Sequence, residues 1–417
     1  MVLWSSLIAV LGFSLAAVSL SAQEKPAFEI TKLADHVYKL TVDGGGYPVK
    51  VIASTGEDGL LIVDAAKEKT GEELKAALKS ISKAQPDIII SSHSHMEHVG
   101  GNMTFDNRPL IIGHPALRKK LRSGAFLFDE FSDQTVPQLT FSDSLSLFYN
   151  GEEIKVLSFA GAHDNCDIVV WFTKSKVVYV AGLSAGRHFP TVDEDGDVLI
   201  YPKQVKRLLN ILPDDVIIIP GHGEDGNKTD LQAFYDMLVE TEAIVRSELA
   251  KGKDLATLQQ EDVLKKYEPF ESAFTSRNDW VACLVGGILP ESTTKPKTLY
   301  EPMYYALRDG GPDSAVALYW QLKNKERDKY LFDEPTIVDI AFRLYEKKKY
   351  TESIPFFQLA VKEYPAGEYA SRVYRLLGMS YRQLGDTAQA IKNFKECLKM
   401  NPKDTRAADA AKELEGK

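Results

Sequence analysis

Four side chains with metal-binding atoms fall within six residues of the stretch Ser91-Ser92-His93-Ser94-His95-Met96-Glu97-His98-Val99-Gly100-Gly101, directly after the apolar run Ile88-Ile89-Ile90. Neutral imidazole nitrogen and carboxylate oxygen suit zinc and similar borderline ions. A turn leaving a buried strand aims alternate side chains at one point and their neighbours at a second, so this stretch reads as the heart of a metal site. Its remaining ligands must come from far downstream, from other strand ends. Two places qualify: the run Ile154 to Phe159 leading through Ala160-Gly161-Ala162 to His163, and Val216-Ile217-Ile218-Ile219-Pro220-Gly221-His222-Gly223. Both are strand, then small residue, then histidine.

Taken together, these segments resemble the metallo-β-lactamase superfamily. Its pattern is His-x-His-x-Asp-His, then Gly-x-His, then Gly-Asp, then Pro-Gly-His-Gly, each at a strand end. The likeness spans roughly residues 28–290, and five of the eight histidines (His93, His95, His98, His163 and His222) fall on its ligand positions. The resemblance implies an α/β fold, an αββα sandwich, and zinc as the cofactor. It also implies hydrolysis, in which a metal-bound hydroxide attacks an amide, ester, lactone or thioester carbonyl with Glu97 as the base that orients the water. Two departures qualify it. Glu97 stands where the family has Asp, and the strand Val177-Val178-Tyr179-Val180-Ala181 runs into Gly182-Leu183 where relatives carry a Gly-Asp whose carboxylate bridges two metals. Leucine cannot ligate. The expectation is therefore one tight zinc on His93, His95 and His163, and a weak or absent second on Glu97, His98 and His222. The resemblance also gives Asp64 a role in supporting the metal loop, and places His114 near the pocket.

The elements that must position these groups are legible from period. Residues 37–42, 49–53 and 60–64 alternate or run apolar between glycine-rich breaks, as hairpin strands do. Residues 70–83 carry Leu74, Ala77, Leu78 and Ile81 at helical spacing. A strand over 87–90 follows and delivers the metal loop. A further strand over 110–114 leads into a helix over 115–121, and 230–250 is a long amphipathic helix expected to pack on the sheet. An aromatic loop over 124–137, with Phe126, Phe128 and Phe131, is either packing or a substrate-facing wall. Arg187 and His188 either orient an anionic substrate group or form ion pairs with Asp193 or Asp195. The run Asp193-Glu194-Asp195-Gly196-Asp197 reads as a solvated turn, and His36 as a surface residue.

The chain has 417 residues and a net charge of -9. That charge, with no long basic block, argues against nucleic acid as a partner. Residues 1–22 look like a secretory signal peptide and imply an extracytoplasmic site of action; an uncleaved segment would instead tether the protein to a membrane. Three well-separated cysteines give no disulfide framework. Cys283 and Cys397 read as buried fillers. Cys166 is read as an inert turn residue, the alternative being a thiolate approaching the second metal position.

Residues 290–297 have linker composition. Beyond them, over 300–417, the pattern around Tyr345, Tyr350, Ser353, Phe357, Ala360 and Pro365 repeats around Tyr381, Asp386, Ala390, Phe394, Cys397 and Pro402, which resembles tetratricopeptide repeats. The segment 314–320 reads as a degenerate earlier copy. Such an all-α region implies a protein partner or self-association, beside a small-molecule substrate for the enzyme. The competing reading of the whole chain is a catalytically weak metal-bearing scaffold whose repeats do the binding.

Overall fold

Strand period decides the layers. A computed structural model describes residues 28–123, 131–272, 274–289 and 297–416; the expected signal segment, Phe126, Phe128 and most of the expected linker lie outside the described residues. The first sheet holds, in spatial order, β1 (Glu29–Lys32), β2 (Val37–Asp43), β3 (Pro48–Gly56), β4 (Gly59–Val63), β5 (Pro86–Ile90), β6 (Leu110–Gly113) and β7 (Leu139–Thr140). It is antiparallel through β4 and parallel from β4 onward. Between β4 and β5 runs α1 (Gly71–Ile81); after β5 comes the short α2 (Met96–Val99), and after β6 comes α3 (Pro115–Ser123).

The second sheet holds β8 (Ser144–Tyr149), β9 (Glu152–Ser158), β10 (Ile168–Phe172), β11 (Val177–Ala181), β12 (Ile217–Pro220) and β13 (Gly226–Asn227). Here α4 (Tyr201–Ile211) connects β11 to the parallel β12, and α5 (Lys228–Ala250), α6 (Leu255–Gln260) and α7 (Arg277–Ile288) follow β13. Asn227 and Ser276 close the N-termini of α5 and α7 with reciprocal caps to Asp230 and Asp279.

Alternate residues of each strand enter different cores. Val51, Ala53 and Ile62 pack with Leu74 and Leu78 of α1 on the outer face of the first sheet. Ile52, Leu61, Val63, Ile90 and Ile112 meet Ile154, Val156, Val170, Tyr179 and Ile219 between the two sheets. Val169, Val178, Val180 and Ile218 meet Val205 of α4, Leu231 and Phe234 of α5 and Trp280 of α7 outside the second. This is an αββα sandwich, and the ligand-bearing strand ends open on one edge of it.

The C-terminal region is all helical: α8 (Tyr300–Lys325), α9 (Glu334–Glu346), α10 (Tyr350–Glu363), α11 (Ala370–Gln383), α12 (Thr387–Met400) and α13 (Thr405–Glu415). The pairs α9/α10 and α11/α12 are the two copies read from sequence, and Pro365 and Pro402 stand just past α10 and α12. Close approach depends on small residues: a Cβ on Gly378 of α11 would stand 2.6 Å from the Phe394 ring of α12. The expected degenerate copy lies in α8 beyond a kink at Gly311 (φ 79°) and Pro312, and packs against α10. The last helix, α13, was not among the elements expected from sequence. Its alanines Ala407, Ala410 and Ala411 cover Ala390, Phe394 and Cys397.

Candidate metal centre

The six expected ligands converge as two groups, His93 with His95 and His163, and Glu97 with His98 and His222. Within each group the potential donor atoms lie within 4.8 Å of one another. His93, His95, Glu97 and His98 come from the loop and short helix after β5, His163 from the turn after β9, and His222 from the turn after β12.

What orients each imidazole is the partner of its other nitrogen. His163 Nδ1 donates to the Thr191 carbonyl (2.9 Å), His222 Nδ1 to the Pro48 carbonyl (2.8 Å), and His98 Nδ1 to Asp64 Oδ2 (2.8 Å). His93 Nδ1 meets Ser92 Oγ (2.9 Å), whose own proton goes to Asp64 Oδ2 (2.7 Å). His95 is held the other way round, its Nε2 against Asp193 Oδ2 at 3.0 Å, so its Nδ1 is the inward atom. Carbonyls and carboxylates only accept, so the tautomers follow from the partners.

One contact tests directly whether a cation fits. His98 Nε2 and His222 Nε2 face each other at 3.3 Å, while each ring's Nδ1–H is committed elsewhere. Two lone pairs therefore confront one another. A shared cation, whether a metal ion or a proton, removes that repulsion, and a second acceptor does not.

Electrostatics favour the neutral, ligating form of three of the imidazoles and the charged form of His95. Burial, reinforced by the neighbouring imidazoles, holds His93 well below the ordinary histidine range, and burial lowers His163 and His222 as well. Burial also opposes charge on His95, but the hydrogen bond and charge of Asp193, with Glu97 and Asp164 behind, raise it to about 9. Burial disfavours ionised Glu97 and Asp193 too, yet the facing histidines hold both carboxyls below their usual range. Glu97 Oε1 lies 3.7 Å from His222 Nε2 and 3.9 Å from His95 Nδ1, between the two groups.

Asp64 is a buried hub. It accepts from Ser92 N, Ser92 Oγ, His98 Nδ1 and the Tyr179 hydroxyl, and takes the left-handed conformation (φ 63°) as it leaves β4. This matches the supporting role the resemblance implied. Asp164 supports the other side of the loop: it accepts from Ser94 N and Oγ and from the Cys166 thiol, with Lys120 at 3.5 Å. Cys166 is thus the buried, inert residue expected, its thiol pushed far up by burial and by Asp164.

Several expectations are corrected. The Leu183 side chain is turned into the core and does not line the cleft. Ala181 adopts φ 45°, the chain turns, and the Leu183 side chain enters the outer core with Phe159, Val178 and Val180, leaving Gly182 and Ser184 to line the cleft. Arg187 pairs with Asp230 at 3.1 Å rather than with Asp193 or Asp195, and lies away from the cleft. Asp193 orients His95 and Asp195 pairs with Lys120, so the acidic run is not a bare solvated turn. His114 accepts the Ala116 amide at the start of α3 and does not line the cleft. Phe131 is packed with Val99, Leu117 and Leu121. The cleft, about 410 Å³, takes its aromatic wall instead from Tyr47 and Phe274, which stack edge-on at 4.6 Å beside the His222 ring. Tyr47 follows Gly44-Gly45-Gly46 in the β2–β3 hairpin, a signal visible in the sequence, whereas nothing there marks Phe274.

Residues 44–222 match the family model of the metallo-beta-lactamase superfamily, and residues 371–404 match that of the tetratricopeptide repeat. The chain contains a metallo-β-lactamase superfamily fold followed by tetratricopeptide repeats. Among characterised relatives it is 22% identical over 240 residues to a metallo-beta-lactamase type 2 of Elizabethkingia meningoseptica, covering 55% of this chain and 93% of that one. It is 23% identical over 201 residues to the type 2 enzyme of Bacillus cereus, covering 47% and 75%. Among solved structures, a metallo-beta-lactamase from Pontibacter korlensis aligns with a TM-score of 0.44 at 20% identity, covering 51% of this chain and 98% of that one. The DIM-1 metallo-beta-lactamase aligns at 0.44 and 17% identity, covering 52% and 99%.

Proposed function

We propose that this protein is a zinc-dependent hydrolase of a carbonyl substrate (an amide, ester, lactone or thioester), with one tightly held zinc on His93, His95 and His163 and a weaker second on Glu97, His98 and His222. The convergence of the two three-donor groups carries the reading, and the facing Nε2 atoms of His98 and His222 support it, since a shared metal ion would relieve that contact. Zinc bound there would supply Lewis acidity, polarising a carbonyl and lowering the pKa of water to about 7.

The chain's own residues do the rest. Glu97, at the junction of the two groups and kept ionised, accepts a proton from water entering the cleft. Asp64 and Asp193 keep the imidazoles in register. Tyr47 and Phe274 present an apolar wall to the substrate's non-reacting part. The relatives named above are β-lactamases by name; the fold leaves the substrate open, and a lactam is one option among several. Action outside the cytoplasm belongs to the same proposal, supported by the apolar N-terminal stretch.

The test is metal stoichiometry of the purified protein beside a panel of lactam, lactone and thioester substrates. About one firmly retained zinc with turnover of any of them supports the proposal. No retained metal and no turnover sinks it, and favours the second reading, a scaffold that holds a partner protein through its tetratricopeptide repeats.

A further inference from the structure

A buried lysine lies beside the metal centre without belonging to it. In β2 and β3 the residues that face the second sheet share one parity: Val37 and Ile52 contribute apolar side chains there, and Lys39, Pro48 and Lys50 stand on the same side. Lys50 is 3% exposed, and its strand neighbours Val49 and Val51 are buried in the other core. Its ammonium donates to the Gly223 carbonyl at 2.6 Å and to Asp225 Oδ1 at 2.8 Å. The other Asp225 oxygen is taken by Lys39 from the neighbouring strand.

Both acceptors belong to the turn that carries His222. That turn leaves β12 of the second sheet, and three contacts fasten it to the first: His222 Nδ1 to the Pro48 carbonyl, Gly223 O to Lys50, and Asp225 to both lysines. Gly223 adopts φ 78°, and a Cβ there would come within 2.9 Å of the Ala185 carbonyl, so the turn has one close-fitting course.

From this geometry we infer that Lys50 and Asp225 are positioning residues for His222 and set the affinity of the second metal group. The inference rests on the metal reading of the site. Lys50 also contributes to stability, since removing one partner of a buried pair leaves the other uncompensated, so the positioning role is read from the two metal equivalents and not from unfolding. Methionine in its place cannot hold the Gly223 carbonyl, one peptide from His222. The first group has no ligand on this turn and is insulated from the change.

The experiment is zinc titration calorimetry on the full chain, wild type against Lys50→Met and Asp225→Asn, with urea unfolding alongside. The first equivalent is expected to bind within about twofold of wild type, and the second to weaken by roughly 10- to 100-fold, as loss of an outer-shell partner does. The Lys50→Met urea midpoint should fall, since the Gly223 carbonyl loses its donor and Asp225 one of its two cations, with the first zinc equivalent retained. An unchanged second equivalent overturns the inference, as does a parallel weakening of both equivalents with loss of stability.

Long-range ¹H–¹⁵N spectra of the His222 ring in the metal-free protein give a readout that needs no metal. Wild type should show a single Nδ1–H tautomer and Lys50→Met an exchanging mixture, whereas identical spectra reject the positioning role. A wild-type protein that binds no zinc overturns the proposed function, and these spectra still decide the role of Lys50.

Discussion

The two ligand groups differ in what holds them. In the His93, His95 and His163 group, every ring is fastened by an atom that is not itself a ligand: the Ser92 hydroxyl, the Asp193 carboxylate and the Thr191 carbonyl. In the other group, His98 and His222 are fastened in the same way, but apart from its own backbone amide the Glu97 carboxylate is held by His95 and His222, candidate ligands themselves. Its position therefore depends on the groups it is meant to assist. Pre-organisation lowers the cost of binding, so the first group should be the tight one even though each offers three ligands.

That contrast can be broken in several ways, taken from the largest expected effect to the smallest. His163→Ala removes a ligand of the fastened group. Zinc retention through dialysis should fall by more than the roughly 10- to 100-fold that loss of an outer partner costs. Retention at the wild-type level would mean that the Glu97 group is the tight site. Leu183→Asp places a carboxylate in the outer core, and urea unfolding should show a loss of about 3–5 kcal/mol, the cost of an unpaired buried charge. Zinc content should stay as it was; a rise toward a second equivalent would place residue 183 at the metals after all.

Asp64→Asn and Asp193→Asn sharpen the comparison, because Asp64 supports His98 directly and His93 through Ser92, while the Asp193 carboxylate bonds His95 alone of the six candidate ligands. Both zinc equivalents should weaken about 10- to 100-fold in the first variant, and only the tight one in the second. Equal behaviour of the two variants in calorimetry would contradict this division of support. The mildest change is Phe274→Ala. Phe274 is 43% exposed and meets Tyr47 edge-on, an interaction worth about 0.5–1.5 kcal/mol. KM for an aryl substrate should rise about two- to tenfold, with metal content and melting temperature unchanged.

Much of this was readable in one dimension because the relevant signals are local. The helix expected over 70–83 is α1, Gly71–Ile81, and the strand expected over 177–181 is β11. Each rests on a period that neighbouring residues alone display. The convergence of the five candidate ligand histidines was legible for a related reason: each stands just past an apolar strand, where the chain must turn at the same sheet edge. Tyr47, Phe274, Asp193 and Lys50 were missed. Each acts through a contact distant in sequence: Lys50 reaches Asp225, 175 residues away, and Asp193 reaches His95, 98 residues away. The direction of the Leu183 side chain has the same origin, since a left-handed residue two positions earlier turns the chain and sends that side chain into the core.

The sequence by itself determined the layers, the repeats and which donor residues gather at one sheet edge, because hydrophobic period and donor chemistry are properties of residues and their near neighbours. Only the tertiary structure decided which nitrogen of each imidazole faces inward, which carboxylates stand behind them and what lines the cleft. Those depend on how two sheets approach each other, and no short stretch of chain encodes the distance between strands that never follow one another.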